Sequence, residues 1–224
     1  MSRADTARAA ARGLGEFLLT AGFVILLFVA YELWFTGFYT AQQQHDLRNQ
    51  LQHEWALPVP RSGPGIQEVA LGQGVAILRI PRLGSDYVKV VVEGVNHDDL
   101  KKGPGHYPGT AMPGQIGNFV VSGHRTTYGA PFNRLDELQV NDAIVVETRT
   151  MWFTYHVTSK EVVLPTDIDV IAPVPDHPGQ KPTKAYLTFT TCHPKYSASH
   201  RLIVHGILVD AKPKVDGLPV ALGG

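Results

Sequence analysis

From about residue 70 the chain reads as short apolar runs punctuated by turn residues, the rhythm of strands rather than helices. "VAILRI" (75–80) stops at Pro81, and "YVKVVVEG" (87–94) alternates before turning fully apolar. Further strand runs cover 117–124, 142–148, 151–164, 184–190 and 201–210. "NHDDLKKG" reads as one helical turn with Asn96 as its N-cap. "APFNRLDEL" (130–138) reads as a short helix, and "GPGHYPGTAMPGQ" (103–115) is too rich in Gly and Pro for either regular element. The expected fold is mainly β, with about eight strands, and closing them into a barrel would remove exposed edges.

The pattern before residue 70 is different. Residues 17–39 are predominantly apolar, with Glu32 the sole charge, and about 20 such residues cross a bilayer as a helix. Arg3, Arg8 and Arg12 precede the span, which places residues 1–16 in the cytoplasm and the rest outside the cell. Tyr31, Trp34, Phe38 and Tyr39 gather toward its outer end, as interfacial aromatics do. A cleaved signal peptide fits poorly, because its apolar region is shorter and ends in small residues. Residues 40–57 read as a polar helix with Leu47, Leu51 and Leu57 on one loose spacing, and "PVPRSGPG" as a linker. Together 40–69 form a stalk, 70–210 the globular domain, and 211–224 a mobile tail.

Charge and composition exclude some functions. Twenty basic residues balance 20 acidic ones, so no basic surface suggests nucleic-acid binding. Gly (22) and Pro (16) are frequent, as turn-rich β proteins require. The chain has one cysteine, Cys192, so no internal disulfide can form. That thiol is either a small buried hydrophobe or a reactive group.

Cys192 follows the strand "YLTFTT" and precedes "HPKYS", where Pro194 ends the run. A thiol at a strand end lies at a rim, and Arg201 opens the next strand, from which it can return toward Cys192. A fixed guanidinium can hold a carbonyl oxygen as negative charge develops on it. A cysteine nucleophile also needs an acid/base partner, and ten histidines are available. His124 ends a strand too, whereas His193 adjoins Cys192 and so faces the other way on an extended chain.

"SGHRT", "TFTTC" and Arg201 together resemble the sortase family of cysteine transpeptidases. Thr188–Phe189–Thr190–Thr191–Cys192 is similar to its T-L-x-T-C motif, with Phe189 in place of leucine. The resemblance spans about residues 70–210 and implies a sortase-type eight-stranded barrel with Cys192, His124 and Arg201 as the catalytic set. It implies cleavage of an L-P-x-T-G-like sorting signal between Thr and Gly through a thioacyl enzyme. Transfer to the amine of a cell-wall precursor, a peptidoglycan stem peptide, follows. The partners it implies are exported proteins with a C-terminal sorting signal and the membrane.

Within that family the Gly/Pro loop and "HRTTYGAPFNRL" look most like the actinobacterial class E, which tends to prefer L-A-x-T-G. A pilin-polymerising or accessory sortase is the alternative, but its Asp-Pro-aromatic lid and second membrane span are not found in the sequence. Tyr107 is expected to fill the space of a substrate proline, and Thr191 and Ser122 to contact substrate. No cofactor is expected, and no metal, because 103–115 lacks the carboxylates that calcium requires. A non-enzymatic surface module would have no need of the strand-end thiol. A papain-like protease would place its cysteine early, on a helix. L,D-transpeptidases would place His and Cys close together in one run, which is absent here.

Overall fold

The computed structural model describes residues 3–31, 36–57 and 69–224. Eight strands run β1 Gly74–Arg79, β2 Val88–Glu93, β3 Gly105–His106, β4 Gly117–Ser122, β5 Ala143–Glu147, β6 Met151–Val163, β7 Ala185–His193 and β8 His200–Pro213. They close into a barrel in the order β1-β2-β3-β4-β7-β8-β6-β5. Seven of them coincide with the runs read from the sequence. The eighth, β3, lies inside the Gly/Pro segment expected to be irregular, and its two residues bridge β2 and β4. Gly105 is required there: a Cβ on it would come within 2.1 Å of the Gly94 carbonyl oxygen.

Alternation sorts each strand into a core face and an outer face. Leu78, Val91, Phe119, Val121, Leu187, Phe189, Leu202 and Val204 fill the barrel. The helical turn α3 (His97–Leu100) is capped as expected, with Asn96 Oδ1 accepting from the Asp98 and Asp99 amides at 3.0 and 2.9 Å. The helix expected over 130–138 contracts to a 3₁₀ turn at Leu135–Glu137.

Two helices precede the barrel. α1 (Arg3–Ala30) contains a stretch, Ala11–Ala30, long and apolar enough to cross a membrane. The expected 17–39 span does not form one described helix. Thr36 already opens α2 (Thr36–Ala56), and Glu32 and Trp34 lie outside the described residues.

The expectation of a free-standing stalk is not met by α2. Leu47 and Leu51, one turn apart, are buried against Ile77, Val90 and Val92 on the outer face of β1 and β2. Those two strands therefore bury both faces there, which is why β2 turns apolar at every position from Val90 to Val92. The linker 58–65 lies outside the described residues.

The tail is also packed rather than free. Lys214 pairs with Glu147 at 2.7 Å and its ammonium lies 4.6 Å from the Trp55 ring of α2. Leu218 and Leu222 line a cavity shared with Arg79, Tyr87 and Trp152.

Gln44 joins helix to barrel by standing in for a strand. Its Oε1 accepts from the Val90 amide at 2.7 Å, and its Nε2 donates to the carbonyls of Val90 (3.0 Å) and Lys102 (2.8 Å). β3 is too short to reach Val90, so one side-chain amide satisfies both its backbone groups. Gln44→Ala leaves buried donors and acceptors without partners and should lower stability by about 2–4 kcal/mol. Denaturant unfolding checks this, and an unchanged midpoint would contradict it.

Candidate active site

β4, β7 and β8 are neighbours, and their register gathers the candidate residues. β4 and β7 pair in parallel, with Ser122 opposite Thr190. β7 and β8 pair antiparallel, with Cys192 directly opposite Arg201. Because Leu187, Phe189, Leu202 and Val204 point inward, Thr188, Thr190, Cys192, Arg201, Ile203 and His205 belong to the outer face. Ser122 takes the same face of β4, and His124 follows two residues later at the strand's end. Register thus brings Cys192 and Arg201 to one end of one surface, and the end of β4, just before His124, lies beside it.

Gly123 fixes where His124 begins. Its amide donates to Thr190 O at 3.1 Å, and its carbonyl accepts from Thr191 Oγ1 at 2.8 Å. The Phe132 ring packs so closely that a Cβ at Gly123 would meet it at 2.7 Å. Phe132 also donates its amide to His124 O at 3.1 Å. Thr191, expected to touch substrate, is 2% exposed and points into the wall, so its hydroxyl holds the chain beside His124 instead.

His124 is half-buried, with its Nε2 shielded and bonded to no described group. Its ring lies 5.1 Å from that of Tyr128. Burial, and secondarily the charge of His97, push its pKa below the ordinary imidazole value. The ring is therefore neutral at neutral pH and free to accept a proton. The unfolded chain binds this proton at higher pH than the folded one, so His124 subtracts stability as pH falls below the usual histidine range.

Arg201 Nη1 donates to Ala198 O (2.9 Å) and His200 O (3.0 Å), which ties the guanidinium to the turn between β7 and β8. With Tyr107, Thr190, Ile203 and the connection residues Pro165, Ile168 and Ile171, it lines a shallow cleft of about 70 Å³. Tyr107 therefore faces the same cleft as Arg201. The 165–183 connection forms one wall of it, through the 3₁₀ turn Asp169–Ile171.

Sequence reasoning missed Arg125. It is 3% exposed, pairs with Asp136 at 3.1 Å, and donates through Nη1 to Cys192 O (3.3 Å) and His193 Nδ1 (3.0 Å). One buried guanidinium thus ties the segment after His124 to the backbone carrying Cys192. The signal was the arginine directly after His124, and His193, set aside as a base, is its partner.

Residues 78–209 match the sortase domain family. The chain is 39% identical over 221 residues to a sortase E1 of Streptomyces coelicolor, covering 95% of this chain and 61% of that protein's length. The structure of sortase E from Streptomyces avermitilis is 46% identical, with a TM-score of 0.62, covering 68% of this chain and 99% of that one. A crystal structure of sortase E1 from S. coelicolor with a tripeptide in its active site is 40% identical, with a TM-score of 0.63, covering 69% and 99%.

The chain belongs to the sortase family, whose members are cysteine transpeptidases. Within that family its relatives place it with class E.

In a histidine NMR titration, the His124 midpoint should lie below the ordinary imidazole value. His97→Gln should raise it part of the way, because burial is the larger cause and persists. A midpoint that stays put or falls would contradict the electrostatic part of the account.

Proposed function

We propose that this chain is a membrane-anchored class E sortase, acting outside the cell, that moves exported proteins from their sorting signals onto a cell-wall amine. The observation that carries it is the facing pair Cys192–Arg201 on the outer surface of β7 and β8, with His124 at the adjacent end of β4.

The thiol of Cys192 attacks the carbonyl carbon of the signal's threonine, and the neutral imidazole of His124 takes the thiol proton. Arg201 hydrogen-bonds the oxygen that becomes negative in the tetrahedral intermediate. Collapse breaks the Thr–Gly bond, and His124 delivers its proton to the departing glycine amine. A thioacyl enzyme remains. The acceptor, an amine of the peptidoglycan stem peptide, attacks that thioester while His124 removes its proton. The thiol is then regenerated and a new amide formed.

The cleft geometry favours a small residue at the second signal position. Tyr107 lines the same cleft as Arg201 and Ile203, and its ring takes up room that a proline ring would need. Alanine fits with less displacement, so L-A-x-T-G is the preferred signal. Ser122 lies on the same face and is offered as a further substrate contact. α1 holds the domain at the bilayer, with the residues before Ala11 in the cytoplasm. No calcium is required, because 103–115 has no carboxylate to bind it.

The full chain, incubated with L-A-x-T-G or L-P-x-T-G peptides and a small amine, should give amine-transfer products with the alanine peptide favoured. Tyr107→Ala should narrow that preference by about tenfold, the effect of a methylene or two in an apolar pocket. No transfer with either peptide would overturn the reading. An unchanged ratio would remove Tyr107 from specificity.

A further inference from the structure

Behind the cleft wall, on the same outer surface but deeper along β8, a second cluster remains without a role in the proposed chemistry. His205 is 4% exposed. Its Nε2 lies 3.1 Å from Glu161 Oε1 on β6 and 3.5 Å from Asp176 Oδ2 in the connection between β6 and β7. The three ligand atoms all lie within 4.8 Å of one another.

The hydrogen bonds behind the ring fix which nitrogen carries its proton. Asn118 Nδ2 donates to Ala172 O at 3.0 Å, which leaves Oδ1 as the acceptor for Thr188 Oγ1 at 2.8 Å. Having spent its one proton on Asn118, the Thr188 hydroxyl accepts from His205 Nδ1–H at 2.9 Å. In the neutral ring the lone pair of Nε2 then faces two carboxylates. Neither carboxylate has a lysine or arginine partner among the described residues. In that form three electron-rich atoms converge, whereas a protonated ring would donate Nε2–H to Glu161 at 3.1 Å.

We propose that His205, Glu161 and Asp176 hold one divalent transition-metal ion of the zinc type. Metal–nitrogen and metal–oxygen bonds of about 2.0–2.2 Å put adjacent ligand atoms of a tetrahedral site about 3.3–3.5 Å apart. The two distances from Nε2 bracket that spacing. A ligating histidine that donates its other N–H to a fixed hydroxyl, itself held by an amide, has the supporting shell such sites use. Glu161 and Asp176 are 39% and 46% exposed in their side chains, which leaves solvent a route in and a fourth position open. Imidazole with two carboxylates suits zinc and its neighbours rather than calcium.

The ion, with water as its fourth ligand, would tie the connection to the barrel. Asp176 belongs to the same connection as Pro165, Ile168 and Ile171, which wall the cleft beside Arg201. Binding it to β6 and β8 together would fix that wall against the barrel.

The test uses the full untagged chain in detergent, stripped with EDTA and dialysed, carrying Cys192→Ala so that no thiol competes for metal. Calorimetric titration with Zn²⁺ should show one equivalent bound, and the melting temperature should rise with Zn²⁺ but not with Ca²⁺. Glu161→Gln and Asp176→Asn alter half-exposed side chains, and each should weaken binding about tenfold or more and shrink the thermal shift. Absence of Zn²⁺ binding would overturn the proposal and leave the cluster as a histidine in contact with two carboxylates. Binding equally strong in both variants would overturn it too, because the ion would then sit on other histidines.

Discussion

The site depends on one constraint: the register in which β7 pairs with its two neighbours. Parallel pairing with β4 brings the end of β4 beside the end of β7. Antiparallel pairing with β8 sets Arg201 opposite Cys192. A slip of one residue on β7 would turn Cys192 inward and Thr191 outward, because side chains alternate faces. Leu187 and Phe189 forbid that slip, since it would carry both from the barrel core into solvent. Core packing and placement of the thiol are thus one requirement met by the same strand.

Around this register the structure adds devices that hold the strand ends. Arg125 bonds the backbone of Cys192, Thr191 bonds the backbone of Gly123, and Phe132 closes over Gly123. None of these side chains needs to touch substrate to matter. Each holds the end of β4 or of β7 in place, and burial, with the charge of His97, lowers the imidazole pKa.

The strands were legible because alternating or continuous apolar runs bounded by Gly and Pro leave few other options. Cys192, His124 and Arg201 could be proposed from the sequence because a lone strand-end thiol, a strand-end histidine and a strand-opening arginine stand out individually, and resemblance joined them. β3 was not, because two residues carry no periodicity and are held by pairings distant in sequence. The docking of α2 was hidden for a related reason. Its buried apolar stripe is Leu47 and Leu51, with Trp55 packed partly against the same cluster, and much of its attachment is polar, through Gln44, Thr40 and Arg48 to backbone carbonyls. The tail looked mobile because its anchors are a lysine against two tryptophans and a glutamate far away in sequence. Thr191 misled because adjacency to a nucleophile does not mean sharing its face.

The central claim is that the thiol on this face of β7 carries the acyl group. It is tested most directly by trapping the intermediate. The full chain is mixed with an L-A-x-T-G peptide without an acceptor amine, quenched in acid, digested and mapped by mass. The account predicts an adduct ending at the signal's threonine on the fragment that contains Cys192, with the glycine-side product released. An adduct on another residue, or release of that product with no covalent intermediate even at the earliest quench, would contradict it.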